Sequence, residues 1–169
     1  MIHLYPATTA RPYIRQLYIQ AFPENERRGW PAQMELLSTG KLKLLEVRKA
    51  EEAVGFVFYW QLSAFSFIEH FAIDPGTRGG GIGSAVMTQL DLALKQIVLE
   101  VEPPLTEMAI RRIGFYERLG YRTFPDTYYQ PPYKPGNPPL ELRLMYKGLP
   151  EEISFEKVKE ELYSFVYQQ

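Results

Sequence analysis

The chain has 169 residues, 46% of them apolar, with Phe 10, Tyr 12 and Trp 2; it is too rich in core formers for disorder and of a length that suits one globular domain over 1–169. Lys+Arg 19 against Asp+Glu 20 leaves a net charge of -1, which supplies neither the footprint of a nucleic-acid binder nor a polybasic membrane patch. With Cys 0 and only His3 and His70 as histidines, a disulfide framework, a thiol nucleophile and a Cys-ligated metal are excluded, and no metal site is expected.

Ile2 to Tyr5 reads as a first strand without the basic-then-apolar layout of a secretory leader. Ala10 to Phe22 places Tyr13, Leu17, Ile19 and Phe22 at loose helical spacing, and Pro12 suits a first turn. The polar stretch Pro23 to Gly29 is a loop before a second short helix, Pro31 to Leu37, stopped by Gly40. The period then changes to two. Lys41 to Val47, Ala53 to Leu62 and Phe65 to Ile73 are rich in β-branched and aromatic residues and joined by short polar links, which predicts an antiparallel meander. Within it, the apolar run Ala53 to Trp60 is interrupted by Gly55 and lies far below the roughly 18 residues of a membrane span. A cytoplasmic protein is expected.

Beyond the meander, Ile82, Val86, Leu90 and Leu94 recur every four residues, and Gln96 to Val101 follows as a buried-type strand. Together these predict a βαβ crossover. Glu107 to Leu119 reads as a further helix closed by Gly120, with Met108, Ile113, Phe115, Tyr116 and Leu119 as buried candidates. Tyr121 to Phe124 and Leu140 to Tyr146 are final strands flanking the proline-rich insert Pro125 to Pro139, long enough to be functional. Glu151 to Gln169 is predicted as a terminal helix whose Phe155, Val158, Leu162, Phe165 and Val166 share a face, against the body of the chain or a partner. The fold class is therefore α/β (α+β), a mixed sheet of about six to seven strands flanked by helices. The core spans about 1–147, and 151–169 is an added helix.

Five of the 12 glycines fall in Gly76 to Gly83. There Arg78-Gly79-Gly80-Gly81-Ile82-Gly83-Ser84 joins a strand to an amphipathic helix, the setting in which backbone N–H groups and a helix N-terminus hold a phosphate. A Walker loop is excluded because Ile82 stands where Lys is required. A dinucleotide turn finds Gly81-Ile82-Gly83 and an acid, Glu100 or Glu102, about 20 residues on, but has Val86 at its third glycine and follows an antiparallel meander.

The segment Glu69-His70-Phe71-Ala72-Ile73-Asp74-Pro75 with Arg78, Gly81 and Gly83 resembles motif A of the GCN5-related N-acetyltransferases, whose pyrophosphate loop reads [QR]-x-x-G-x-[GA]. Phe115-Tyr116-Glu117-Arg118-Leu119-Gly120-Tyr121 is similar to motif B of that family. The likeness covers roughly 1–147, is strongest over 66–123, and leaves the last helix outside it. At the motif B position where family members often carry Asn, this chain has Ala109, and Arg111-Arg112 stand where small residues are common.

The resemblance implies the family's fold and transfer of an acetyl group from acetyl-CoA to the primary amine of a small molecule or peptide, by direct attack in a ternary complex. It implies Tyr116 as the acid that protonates the CoA sulfur and Glu69, beside two splayed strands, as a base. His70, Glu100, Glu102 or a water chain are the rivals. A period of two puts Glu69, Phe71 and Ile73 on one face and Ile68, His70 and Ala72 on the other unless a bulge intervenes. Cofactor contacts are assigned to Phe71, Ala72, Ile73, Arg78, Gly79, Gly80, Gly81, Ile82, Gly83 and Ser84, mostly through backbone. The acceptor falls between Phe22 to Trp30 and Tyr128 to Tyr133, with Phe22, Trp30, Tyr128 and Tyr129 as contacts. Glu24 and Glu26 suit a cation and Arg27, Arg28 and Lys134 a carboxylate, so charge selects no substrate. A homodimer is compatible with the resemblance. The competing function is a non-catalytic acyl-CoA-binding or regulatory module, which loss of turnover in Tyr116→Phe would argue against.

Overall fold

In a computed structural model that describes residues 1–169, the protein is built on one mixed sheet of eight strands. The chain runs β1 (Ile2–Ala7), α1 (Pro12–Ala21), α2 (Trp30–Thr39), β2 (Leu42–Lys49), β3 (Glu52–Gln61), β4 (Ser66–Ile73), α3 (Ile82–Leu94), β5 (Ile97–Val101), α4 (Glu107–Arg118), β6 (Arg122–Thr123), β7 (Tyr128–Gln130), β8 (Leu140–Lys147) and α5 (Phe155–Glu161). The strand order is β1-β2-β3-β4-β5-β8-β6, with β7 also on β8. Only β4 and β5 run parallel, because α3 carries the chain back across the sheet between them. No helix is long and apolar enough to cross a membrane.

The eighth strand is one the proline count concealed. Tyr128–Gln130 lies just before Pro131-Pro132, yet its three residues pair with Leu142, Glu141 and Leu140. Proline is tolerated directly after a short edge pairing because no ladder N–H is asked of it.

Each face of the sheet is covered. On one, α1, α2 and α5 pack Ile14, Leu17, Tyr18, Leu37, Phe155 and Val158 against Phe56, Phe58 and Phe67. On the other, α3 packs Ile82, Val86, Met87 and Leu90 against Val57, Ile68 and Leu99. Two positions depart from the predicted pattern. Met108 is 71% exposed rather than buried, and Phe165 is 58% exposed. The second has a local cause: after Glu161 the helix widens into a π-helical turn, Leu162–Val166, closed by the N–H of Tyr167 on the carbonyl of Leu162 at 3.0 Å. One extra residue in the turn rotates Phe165 outward and brings Val166 and Tyr167 into the body.

Candidate active site

The parallel pair opens into a fork. β4 and β5 are registered through Ser66 with Ile97, Phe67 with Val98 and Ile68 with Leu99, and the pairing stops there. The next residue on each strand is a glutamate, Glu69 and Glu100. A bulge falls at the same place: Phe58 opposes His70 and Tyr59 opposes Ile68, leaving Glu69 unpaired on β3. The bulge overturns the strict alternation expected from the sequence, so Glu69 and His70 both turn toward the α1–α2 face, while Phe71 and Ile73 face α3 and α4.

A cleft of about 790 Å³ runs through the fork and opens both faces. Its α3 side holds the glycine loop. Gly79 and Gly81 take positive φ of 98° and 73°, which glycine adopts without strain, and Gly81 caps α3 with no side-chain hydrogen bond. The first intrahelical donor is the N–H of Ala85, to the carbonyl of Gly81 at 3.0 Å, so those of Ile82, Gly83 and Ser84 point outward at the positive end of the helix. A Cβ at Gly79, Gly80 or Gly81 would meet nothing within 4 Å; this open, donor-lined cradle fits a pyrophosphate. Past the fork the free edge of β4, Phe71 to Ile73, faces the cleft with its backbone polar groups, a template for amides of a strand-like ligand. Arg78 lies back on that edge, its Nε donating to the carbonyl of Ile73 at 3.2 Å.

Tyr116 stands on the same side as α3 and lines the cleft. Burial pushes its hydroxyl up to about 12, against the opposing charge of Arg112, so the phenol keeps its proton at neutral pH. Arg111 also lines the cleft, with its guanidinium 3.5 Å from Glu107.

On the opposite face the two carboxylates differ sharply. The Glu69 side chain is fully buried and receives Arg28 on both oxygens (2.9 and 2.7 Å), Trp60 Nε1 (2.7 Å) and the Tyr133 hydroxyl (2.6 Å). Burial would raise its carboxyl, but the Arg28 charge and these donors hold it below the ordinary value. Glu100 has only neutral donors: Tyr128 Oη at 2.6 Å, Gln130 Nε2 at 2.9 Å and Tyr167 Oη at 2.8 Å from each oxygen. Burial therefore dominates, and with the Glu69 charge nearby it pushes Glu100 up to about 7 despite the three donors. His70 lies under Phe22, ring centroids 4.6 Å apart, with Nε2 3.0 Å from the carbonyl of Glu26. A carbonyl only accepts, so Nε2 carries the proton and Nδ1, which has no partner, is left as a lone pair. Burial lowers its pKa and keeps the ring neutral.

The cleft thus brings together Phe22, Glu69, Phe71, Ala72, Ile73, Arg78, Gly79, Gly81, Ile82, Gly83, Ser84 and Tyr116, while Trp30 instead packs on Tyr18 and Phe58. Tyr128 is fully buried and reaches the cleft only through Glu100; Tyr129 is exposed beside it, its carbonyl taken by Tyr163 at 2.5 Å. Arg28 as the partner of Glu69, and Gln130 and Tyr167 as partners of Glu100, were not legible. Nothing in the local sequence around any of them signals a carboxylate far away in the chain.

A family model described as an acetyltransferase (GNAT) domain matches residues 43–123. Among solved structures, a protein from Bacteroides thetaiotaomicron assigned to the GNAT acetyltransferases is 37% identical, with TM-score 0.89 over 93% of this chain and 91% of that one. A GNAT acetyltransferase from Elizabethkingia anophelis with acetyl-CoA bound is 17% identical, with TM-score 0.61 over 88% and 98%. Naa50 of Arabidopsis thaliana in complex with the bisubstrate analogue CoA-Ac-MVNAL is 19% identical, with TM-score 0.57 over 86% and 97%. No curated protein matches the chain in sequence.

Proposed function

The chain belongs to the GNAT acetyltransferase family, and we propose that it transfers the acetyl group of acetyl-CoA to a primary amine by direct attack. The observation that carries this is the fork, which opens the glycine loop at the start of α3 on one side of the sheet and the buried carboxylates Glu69 and Glu100 on the other into one cleft. The solved relatives holding acetyl-CoA or a CoA-peptide analogue support acetyl-CoA as the donor. Acetyl-CoA supplies a thioester carbonyl; the chain supplies position and proton transfer.

The N–H groups of Gly79, Gly81, Ile82, Gly83 and Ser84 hold the pyrophosphate, and the free edge of β4 at Phe71 to Ile73 aligns the pantetheine arm. At neutral pH an alkyl ammonium near pKa ~10.4 must lose a proton before it can attack. We assign its removal to Glu100, whose value of about 7 suits a base working at that pH. As the amine nitrogen bonds to the acetyl carbon and the carbon–sulfur bond breaks, Tyr116 gives its proton to the departing thiolate, and the second proton that the nitrogen sheds to become a neutral amide restores the phenol, directly or through solvent. Glu69 is engaged by Arg28 and serves to hold the loop between α1 and α2, which carries Phe22 and Glu26 to the acceptor side. Glu26, half-buried and raised by burial and by the charge of Glu102 against the opposing charge of Arg112, lines the cleft on this side.

One observation favours a second assignment of the base: the neutral, buried His70 with its unpartnered Nδ1 lines the same cleft. Substituting His70→Asn and Glu100→Gln separately distinguishes the two. The function itself is tested by incubating the protein with acetyl-CoA and a panel of mono- and diamines, amino acids and free N-terminal peptides. Because the chain has no cysteine, a thiol reagent reads CoA release without background. Amine-dependent thiol release with an acetylated product is expected; no release with any amine, together with no binding of acetyl-CoA, would overturn the proposal.

A further inference from the structure

The C-terminal segment lies outside both sequence motifs, yet it ends in the site. The π-helical turn Leu162–Val166 brings Tyr167 inward, and its hydroxyl sits 2.8 Å from both oxygens of Glu100 while accepting from Gln130 Nε2 at 3.1 Å. One residue earlier, the carbonyl of Val166 receives Arg28 Nη2 at 3.1 Å, the same guanidinium that holds Glu69. Within that turn, the Tyr163 hydroxyl donates to the carbonyl of Tyr129 and clamps β7, which carries the other two donors to Glu100. A regular α-helical turn would place Phe165, not Tyr167, toward the body. The wider turn is therefore what lets this segment reach the carboxylate.

In an inference that rests on Glu100 being the base, we infer that Tyr167 is a positioning residue, holding the Glu100 carboxylate at the fork for the acceptor amine. Its hydroxyl donates across both oxygens, which fixes the plane of the carboxylate, and its ring, packed 5.6 Å from that of Tyr133, is fixed in turn. The titratable groups around Glu100 are Glu69 on β4, Tyr128 on β7, Tyr133 in the following loop, and Tyr163 and Tyr167 from the C-terminal segment. The nearest cation is Arg28, paired with Glu69, lying over the Tyr133 ring at 5.1 Å and bonded to the carbonyl of Val166 beside Tyr167. Donation by Tyr167 is thus one of three neutral contacts that favour the ionised form of Glu100.

The test is the pH dependence of kcat/KM for the best amine, from about pH 6 to about pH 9.5, in wild type and Tyr167→Phe. Losing one donor to a charged group raises the acidic-limb midpoint by about one pH unit. Tyr167→Phe is then roughly fivefold slower at pH 7 and converges on wild type at high pH. Its thermal midpoint and acetyl-CoA affinity, measured alongside, report folding, and Tyr128→Phe, which removes another donor to Glu100, gives the same signature if Tyr167→Phe folds poorly. A wild-type profile without a limb near neutrality refutes Glu100 as base and the inference with it. A wild-type limb that Tyr167→Phe leaves in place, or a deficit equal at every pH, refutes the positioning role alone.

Discussion

Arg28→Ala isolates the ion pair that organises the acceptor face. The guanidinium donates to both oxygens of Glu69, to Gln33 Oε1 at 3.0 Å and to the carbonyl of Val166, and lies over Trp60 and Tyr133 at 5.6 and 5.1 Å. Its removal leaves Glu69 buried with two neutral donors and no counter-charge. Losing one partner of such a pair costs about 3–5 kcal/mol, which for a chain of this length lowers the melting temperature by roughly 6–20 °C. The sign of the pH dependence adds a second check. In the wild type, Glu69 sits below its ordinary value, so it stabilises above the unfolded-state carboxylate pKa and that contribution is lost as pH falls through the folded value. Without Arg28, burial dominates and raises the folded value, so stability is greatest when the group is protonated and falls as pH rises through it. The deficit of Arg28→Ala is therefore largest at neutral pH and narrows below about pH 4.5. Urea and thermal unfolding at both pH values measure it. A variant within about 2 °C of wild type at neutral pH, or an equal deficit at both pH values, refutes the ion-pair account.

Tyr116→Phe is expected to lower kcat about 100-fold with acetyl-CoA affinity unchanged, measured by steady-state thiol release and equilibrium titration. Gly81→Val introduces a β-branched side chain at φ 73° over the phosphate cradle, so the folded variant should lose the thermal stabilisation by acetyl-CoA that wild type gains. Gly55→Ala places a Cβ 2.5 Å from the carbonyl oxygen of Ala72 and should cost about 1–3 kcal/mol in unfolding free energy. Because Glu100 is raised to about 7, its ionisation destabilises the fold as pH climbs through that value. Glu100→Gln should thus remove about 3 kcal/mol of wild-type stability loss between about pH 4.5 and pH 8, seen in the same unfolding series.

Much of the architecture could be read in the chain because local rules agree with the fold. The meander shows as a period of two, α3 as a four-residue apolar stripe, and Gly40 and Gly120 mark helix ends with φ of 80° and 94°. The glycine loop was equally legible, since its backbone conformations admit few other residues. What escaped was long-range. The bulge at Glu69 depends on the register of β3 against β4, and alternation within β4 alone assigns Glu69 to the wrong face. Short β7 was hidden by its prolines, and its Tyr128, expected at the acceptor, is instead inside and bonded to Glu100. Glu69 and Glu100 look alike in sequence. Their difference comes from Arg28, 41 residues before Glu69, and from Tyr167, 67 residues after Glu100, neither of which any local pattern connects to them.

The central claim is that Glu100 at the fork takes the proton of the acceptor amine. Its most direct test is the turnover of Glu100→Gln at saturating acetyl-CoA and amine, with acetyl-CoA affinity measured on the same preparation. A fall in kcat of about 100-fold or more with near-normal affinity is predicted; turnover at the wild-type rate would contradict the account.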